Sequence, residues 1–131
     1  MSQEKKHSKV EDAVVKYFSW LQEGSLVCEA DGGWWQVTTQ FLDGHNDRIQ
    51  IYVKQTPGGW LLCDDGQTFD SVGSRDAWDA HGTWIDRVLR GLGVAWRENS
   101  GTYELHVSAT DEDFPLRFHN ILQAVIVIGN I

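Results

Sequence analysis

Two acidic turns, Asp43-Gly44-His45-Asn46-Asp47 and Asp64-Asp65-Gly66, hold the side chains of this 131-residue sequence whose types best suit chemistry. Asp43, His45 and Asp47 alternate, and with Asp64 and Asp65 they supply the hard donors by which a divalent cation activates water for phosphoester hydrolysis. That chemistry needs the two turns within a few ångström of each other. A conformational reading competes with it, because aspartate, asparagine and glycine are also the residues that close turns through their own backbone. The nearby Gln50-Ile51-Tyr52-Val53-Lys54 lacks the carboxylate that a restriction-type nuclease core sets two residues before its lysine. Cys63 beside Asp64, with His45 or His81, has the residue types of a nucleophile, base and orienter. In the run LLCD, however, a cysteine also reads as a buried strand thiol, as does Cys28 in LVCE. No Cys-x-x-Cys pair, His-x-x-x-His pair or glycine-rich strand-to-helix loop is present, so no metal, thiolate cluster or cofactor is expected.

The elements that must position these residues follow from periodicity. Ser8 and Glu11 form a capping box, after which Val10, Ala13, Val14, Tyr17, Phe18 and Leu21 recur at helical spacing until Gly24, leaving 1–8 as a flexible N-terminus. Short strands are expected at 26–29 and 34–41. A further strand at 49–54 places Ile49, Ile51 and Val53 inward, and 60–63 closes a four-stranded antiparallel meander. From 67 to 82 the periodicity fades and a long loop is expected around Trp78. Thr83 and Asp86 then cap a helix with Ile85, Val88, Leu89 and Leu92 on one stripe and Gly93 as its stop. Asn99-Ser100-Gly101 turns a hairpin between 94–98 and 102–107. Phe114, Phe118, Ile121, Leu122 and Val125 form the inner face of a closing helix, although the β-branched run 125–128 also suits a strand. The order predicts a single α+β domain over 1–131, an antiparallel β-meander plus C-terminal hairpin packed with three helices.

Nineteen acidic against eleven basic residues give a formal charge of −8. From Tyr17 onward seven basic residues face sixteen acidic ones, a net of −9, because Lys5, Lys6, Lys9 and Lys16 precede that point. Such a field repels nucleic acid and anionic membranes and favours a basic protein or nucleoprotein complex as partner. The N-terminal MSQEKKHSKVED contains no apolar signal core, and the apolar run 124–128 is too short to span a bilayer, so a cytoplasmic location is expected.

Seven tryptophans are unusual for this length. Trp35, Trp60 and Trp84 fall near core-facing positions, whereas Trp20 and Trp34 lie off the apolar faces and Trp78 sits in the expected loop. Exposed tryptophans among carboxylates suit docking on a basic groove. The expected partner-binding set is Asp64, Asp65, Asp70, Asp76, Trp78, Asp79 and Asp86, with the aspartates spaced like phosphates of a nucleic acid.

The sequence resembles a family of small bacterial and phage proteins known as domain of unknown function 1828. The resemblance rests on Thr38-Thr39, Phe41, His45-Asn46-Asp47, Ile49, Ile51-Tyr52-Val53, Asp64-Asp65-Gly66, Phe114-Pro115 and Leu122-Gln123-Ala124. It departs at Gln40, where a proline is usual, and over 71–81, where a Leu-rich register is usual. It implies a small intracellular α+β domain, often in a prophage setting, and brings no established reaction. The functional expectation is a non-enzymatic acidic protein-binding module of phage or mobile-element type. In its boldest form it inhibits a CRISPR-like defence complex by covering a basic nucleic-acid-binding surface. Two alternatives are a metal-dependent hydrolase built on the two turns, and an acidic chaperone-like homodimer joined through Leu89 and Leu92 or the tail 121–131.

Overall fold

The computed structural model of the protein describes residues 2–131, with side chains from Ser8 onward. Helix α1 (Ser2–Glu23) leads through Gly24 and Ser25 into β1 (Leu26–Glu29). A 3-10 turn at Asp31–Gly33 precedes β2 (Trp34–Leu42), β3 (Arg48–Thr56) and β4 (Gly59–Cys63). Three helices follow, α2 (Gln67–Val72), α3 (Arg75–Ala80) and α4 (Gly82–Leu92), then β5 (Ala95–Asn99), β6 (Thr102–Ala109) and α5 (Phe114–Ile128). All six strands join one antiparallel sheet in the order β1-β2-β3-β4-β6-β5. The protein is therefore α+β, as the alternation predicts, and the expected meander and hairpin share a sheet through β4 and β6.

One face of the sheet carries the core. Register pairs Val53 with Leu62 and Leu62 with Val107, so these residues line up across three strands. With Ile49, Ile51 and Leu105 they pack beneath Ile85 and Leu89 of α4 and Ile121, Leu122, Val125 and Ile128 of α5. Fully burying each aliphatic side chain is worth about 1.5–3 kcal/mol, so this layer supplies most of the drive to fold. A β-carbon on Gly59 would run into the Ala109 carbonyl, which explains a glycine where β4 meets β6.

The expected loop at 67–82 is instead α2 and α3. Each is six residues long, under two turns, and too short to show an apolar stripe. Gly73 at φ 107° separates them, and the Ser74 hydroxyl caps α3 by accepting from the Ala77 N–H at 3.1 Å. Helix α1 starts at Ser2, not at the Ser8 capping box, so the expected flexible segment 1–8 is helical from Ser2 and Met1 lies outside the described residues. Glutamine, glutamate and lysine are good helix formers and carry the helix past the internal serine. α4 begins at Gly82 with His81 at its cap, and no side-chain bond comes from Thr83. Residues 125–128 are helical despite their branching, because Val125 and Ile128 complete the α5 stripe against the sheet.

Candidate functional site

Both acidic turns close at the same end of the sheet, yet Asp43 and Asp64 spend their carboxylates chiefly on backbone N–H groups. Asp43 Oδ1 accepts from the N–H groups of His45 at 2.8 Å and Asp47 at 3.0 Å, and Asn46 takes φ 62° to complete the turn. Burial pushes the Asp43 carboxyl up, but the bonds from Asp47 and His45 outweigh it and hold the group below its ordinary value. Asp64 is fully buried. Its Oδ1 accepts from Leu105 N–H at 2.8 Å and Gly66 N–H at 3.1 Å, and Oδ2 accepts from Thr68 N–H at 3.0 Å. Asp64 thus ties the end of β4 to β6 and to the first turn of α2.

Gln67, which the sequence reading passed over, occupies the space between the turns. Its amide donates to Asp43 Oδ2 at 3.3 Å, and its carbonyl accepts from Gln50 N–H at 3.3 Å. Asp43 and Asp64 spend their oxygens inward, and among the described residues no group of three or more His, Cys, Asp or Glu is placed to hold a metal ion. The turns are parts of the scaffold.

The Cys63 thiol is buried, and burial pushes its pKa up to about 12, so it is protonated at neutral pH. Its cross-strand neighbours are Tyr52 and His106, not His45 or His81. Burial and the Arg97 charge lower the His106 pKa, so the imidazole is held neutral and no thiolate–imidazolium pair forms. Cys28, expected inside, is exposed because β1 is an edge strand covered on neither face.

The sheet face opposite the helices is bare. There a hollow of about 410 Å³ is lined by Trp34, Tyr52, Cys63, Asp65, Arg97 and Glu104, among others. Glu104, also absent from the expected set, is buried, and Arg97 forks onto its Oε1 at 2.8 and 3.2 Å while Asn99 donates to Oε2 at 3.3 Å. Asp65, with φ 54°, turns its carboxylate outward beside Glu104 and Asp70. Partial burial and those two like charges raise it above the ordinary value.

On the helical face a second hollow, of about 470 Å³ and almost wholly apolar, lies between the β1 edge and α5. Val27, Trp35, Val37, Val53, Trp60, Phe114 and Phe118 line it. The fold and both faces being defined, the family model for domain of unknown function DUF1828 matches residues 39–128, more than half of the chain. The chain belongs to the DUF1828 family. No curated protein and no solved structure matches it. The DUF1828 match starts inside β2, so α1 and β1 lie outside it.

Five of the seven expected partner-binding residues of this DUF1828 protein, Asp65, Asp70, Asp76, Asp79 and Asp86, are exposed. Asp64 and Trp78 are not. Trp78 is 2% exposed, packed against Phe69, Trp96 and Tyr103 with ring centroids 6.0, 6.1 and 5.5 Å away. The tryptophan assignments are partly reversed. Trp35 and Trp84, expected near the core, remain 43% and 38% exposed, and Trp35 lines the open apolar hollow. Leu89 and Ile121, expected at a dimer contact, are core residues.

The carboxyl groups predict how stability depends on pH. Asp64 is raised by burial, which the bonds from Thr68, Leu105 and Gly66 oppose without cancelling, and Asp65 is raised as described. The stability they add is complete below the ordinary value of 3.8 and is lost as pH rises through their folded values. Asp43 and Asp113 act oppositely: their contribution is present above 3.8 and is lost as pH falls through their depressed values. Through these four carboxyls, thermal stability followed by circular dichroism is expected to be greatest near their ordinary value of 3.8 and to fall on either side of it, while His106, lowered by burial, adds stability as pH rises toward its ordinary 6.5. The melting temperature of Asp64→Asn should gain on that of wild type as pH rises above 3.8, and a constant difference would contradict the Asp64 assignment.

Proposed function

We propose that the protein acts by binding, as an acidic module that docks on a basic protein surface. The flank of β5 carries the reading. Arg75 bonds Glu98 at 2.8 Å and joins α3 to β5, and Trp96 Nε1 donates to Asp86 at 3.4 Å and joins α4 to the same strand. Asp65 and Asp70 lie at one end of this flank and Asp76 and Asp79 on α3. The nearby guanidiniums of Arg75 and Arg97 are committed to glutamates, and Asp65, Asp70 and Asp76 form no ion pair among the described residues. Exposed carboxylates without counter-charges suit a cationic groove, and the nucleic-acid-binding surface of a defence complex has that chemistry.

The test is capture from nuclease-treated extract of the native host, with wild-type protein and with Asp70→Lys/Asp76→Lys/Asp79→Lys. Captured basic proteins are expected to be released as salt rises and to be absent with the charge-reversed variant. Capture indifferent to both salt and charge reversal would sink the proposal.

A further inference from the structure

Helix α1 is amphipathic but unpartnered. Val10, Val14, Tyr17 and Phe18 fall on one stripe and are 62, 46, 50 and 60% exposed, and among the described residues α1 has no extended packing with any other element. Its C-terminal end is nonetheless fixed. The Trp20 carbonyl accepts from Gln40 Nε2 at 2.8 Å and the Gly24 carbonyl from Arg48 Nη1 at 3.0 Å. Gln40 crosses Gly24 so closely that a β-carbon there would overlap its side-chain amide. These bonds tie the end of the helix to β2 and β3, while the apolar hollow beside β1 stays open.

We propose that two copies of the chain exchange α1, the helix of each lying in the apolar groove of the other. A helix stripe and a groove of matching character on one chain form a self-complementary pair, and mutual exchange is the closed two-fold arrangement. Folding α1 back onto its own groove would break the Gln40 and Arg48 bonds; exchange keeps both. Charge does not oppose it: α1 balances Lys5, Lys6, Lys9 and Lys16 against Glu4, Glu11, Asp12 and Glu23, so it adds no net charge to a body that is strongly acidic. Area agrees. Covering the exposed parts of Val10, Val14, Tyr17 and Phe18 and a similar area of groove removes roughly 800 Å² from water, and exchange makes the contact twice, on the order of the 1,600 Å² of a stable interface.

Sedimentation velocity at tens of micromolar tests the inference. The wild-type chain is expected to run as a dimer that persists in high salt, and Phe18→Asp or Trp35→Asp as folded monomers by circular dichroism. Val27→Asp, at a 64% exposed position, replaces Trp35→Asp if the latter unfolds. Mixing the α1 variant with the groove variant should restore a dimer, since that pair retains one intact helix and one intact groove. A monomeric wild type, a dimeric Phe18→Asp, or a mixture of folded variants that stays monomeric would overturn the exchange. The acidic docking surface is separate: Asp70→Lys/Asp76→Lys/Asp79→Lys is expected to remain dimeric.

Discussion

Trp78→Ala is expected to destabilise the protein by about 3–5 kcal/mol, the range for truncating a buried tryptophan. The indole is 2% exposed and sits among Phe69, Trp96 and Tyr103, so its removal leaves a cavity bounded by three rings that α3 cannot refill without moving. Aromatic contacts of this kind add about 0.5–1.5 kcal/mol each beyond area burial. Helix α3 has six residues and little propensity-based stability of its own, so Trp78 is its principal anchor. Urea unfolding should show a lower midpoint at similar slope, and Trp78→Phe should lie between the variant and wild type. A loss below about 1 kcal/mol would mean that the indole is not the anchor of α3.

Asp64→Ala is expected to cost about 3–5 kcal/mol through hydrogen bonding instead of volume. The substitution strands the N–H groups of Gly66, Thr68 and Leu105, all in a buried site, and each orphaned donor costs about 1–3 kcal/mol without strict additivity. Asp64→Asn keeps one carbonyl acceptor and removes the buried charge, but its amide donors face the N–H groups that the second oxygen served. It should therefore fall between alanine and wild type in chemical denaturation, and its stability should depend less on pH above the ordinary carboxyl value of 3.8. A docking aspartate would behave otherwise: alanine would leave unfolding unchanged and weaken only partner capture.

How much of this was legible in the sequence depended on the length of the signal. β3 declares itself because Ile49, Ile51 and Val53 alternate through a nine-residue strand, and α5 because its stripe runs four turns. α2 and α3 offer only Phe69, Val72 and Trp78 as large apolar inward residues, beside the buried Thr68, and no period can be read from so few points. The same brevity hid Trp78, whose burial depends on where β6 places Tyr103. Asp-Asp-Gly looked like chemistry because the residue types of a turn and of a cation site are the same; only the buried end of β4 decides that Asp64 bonds backbone. Glu104 was within reach. With Ser100 and Gly101 both at positive φ, the hairpin closes on two residues, and counting back from Asn99 opposite Thr102 sets Arg97 opposite Glu104. Gln67 had no local signal, since its two partners lie 24 and 17 residues away.

The position of β6 between β4 and β5 has a kinetic consequence. β1 to β4 pair with sequence neighbours and close quickly through short turns, but the β4–β6 ladder must wait for the chain from Gln67 to Leu92 to collapse into three helices. The 41-residue span between Asp64 and Leu105 measures that delay. Until it closes, β4 is a bare edge beside an unsatisfied carboxylate, so a half-folded chain exposes a strand open to pairing with its neighbours. Asp64 is thus a late-setting latch, and the charge it carries before burial discourages the wrong strand from adding to that edge.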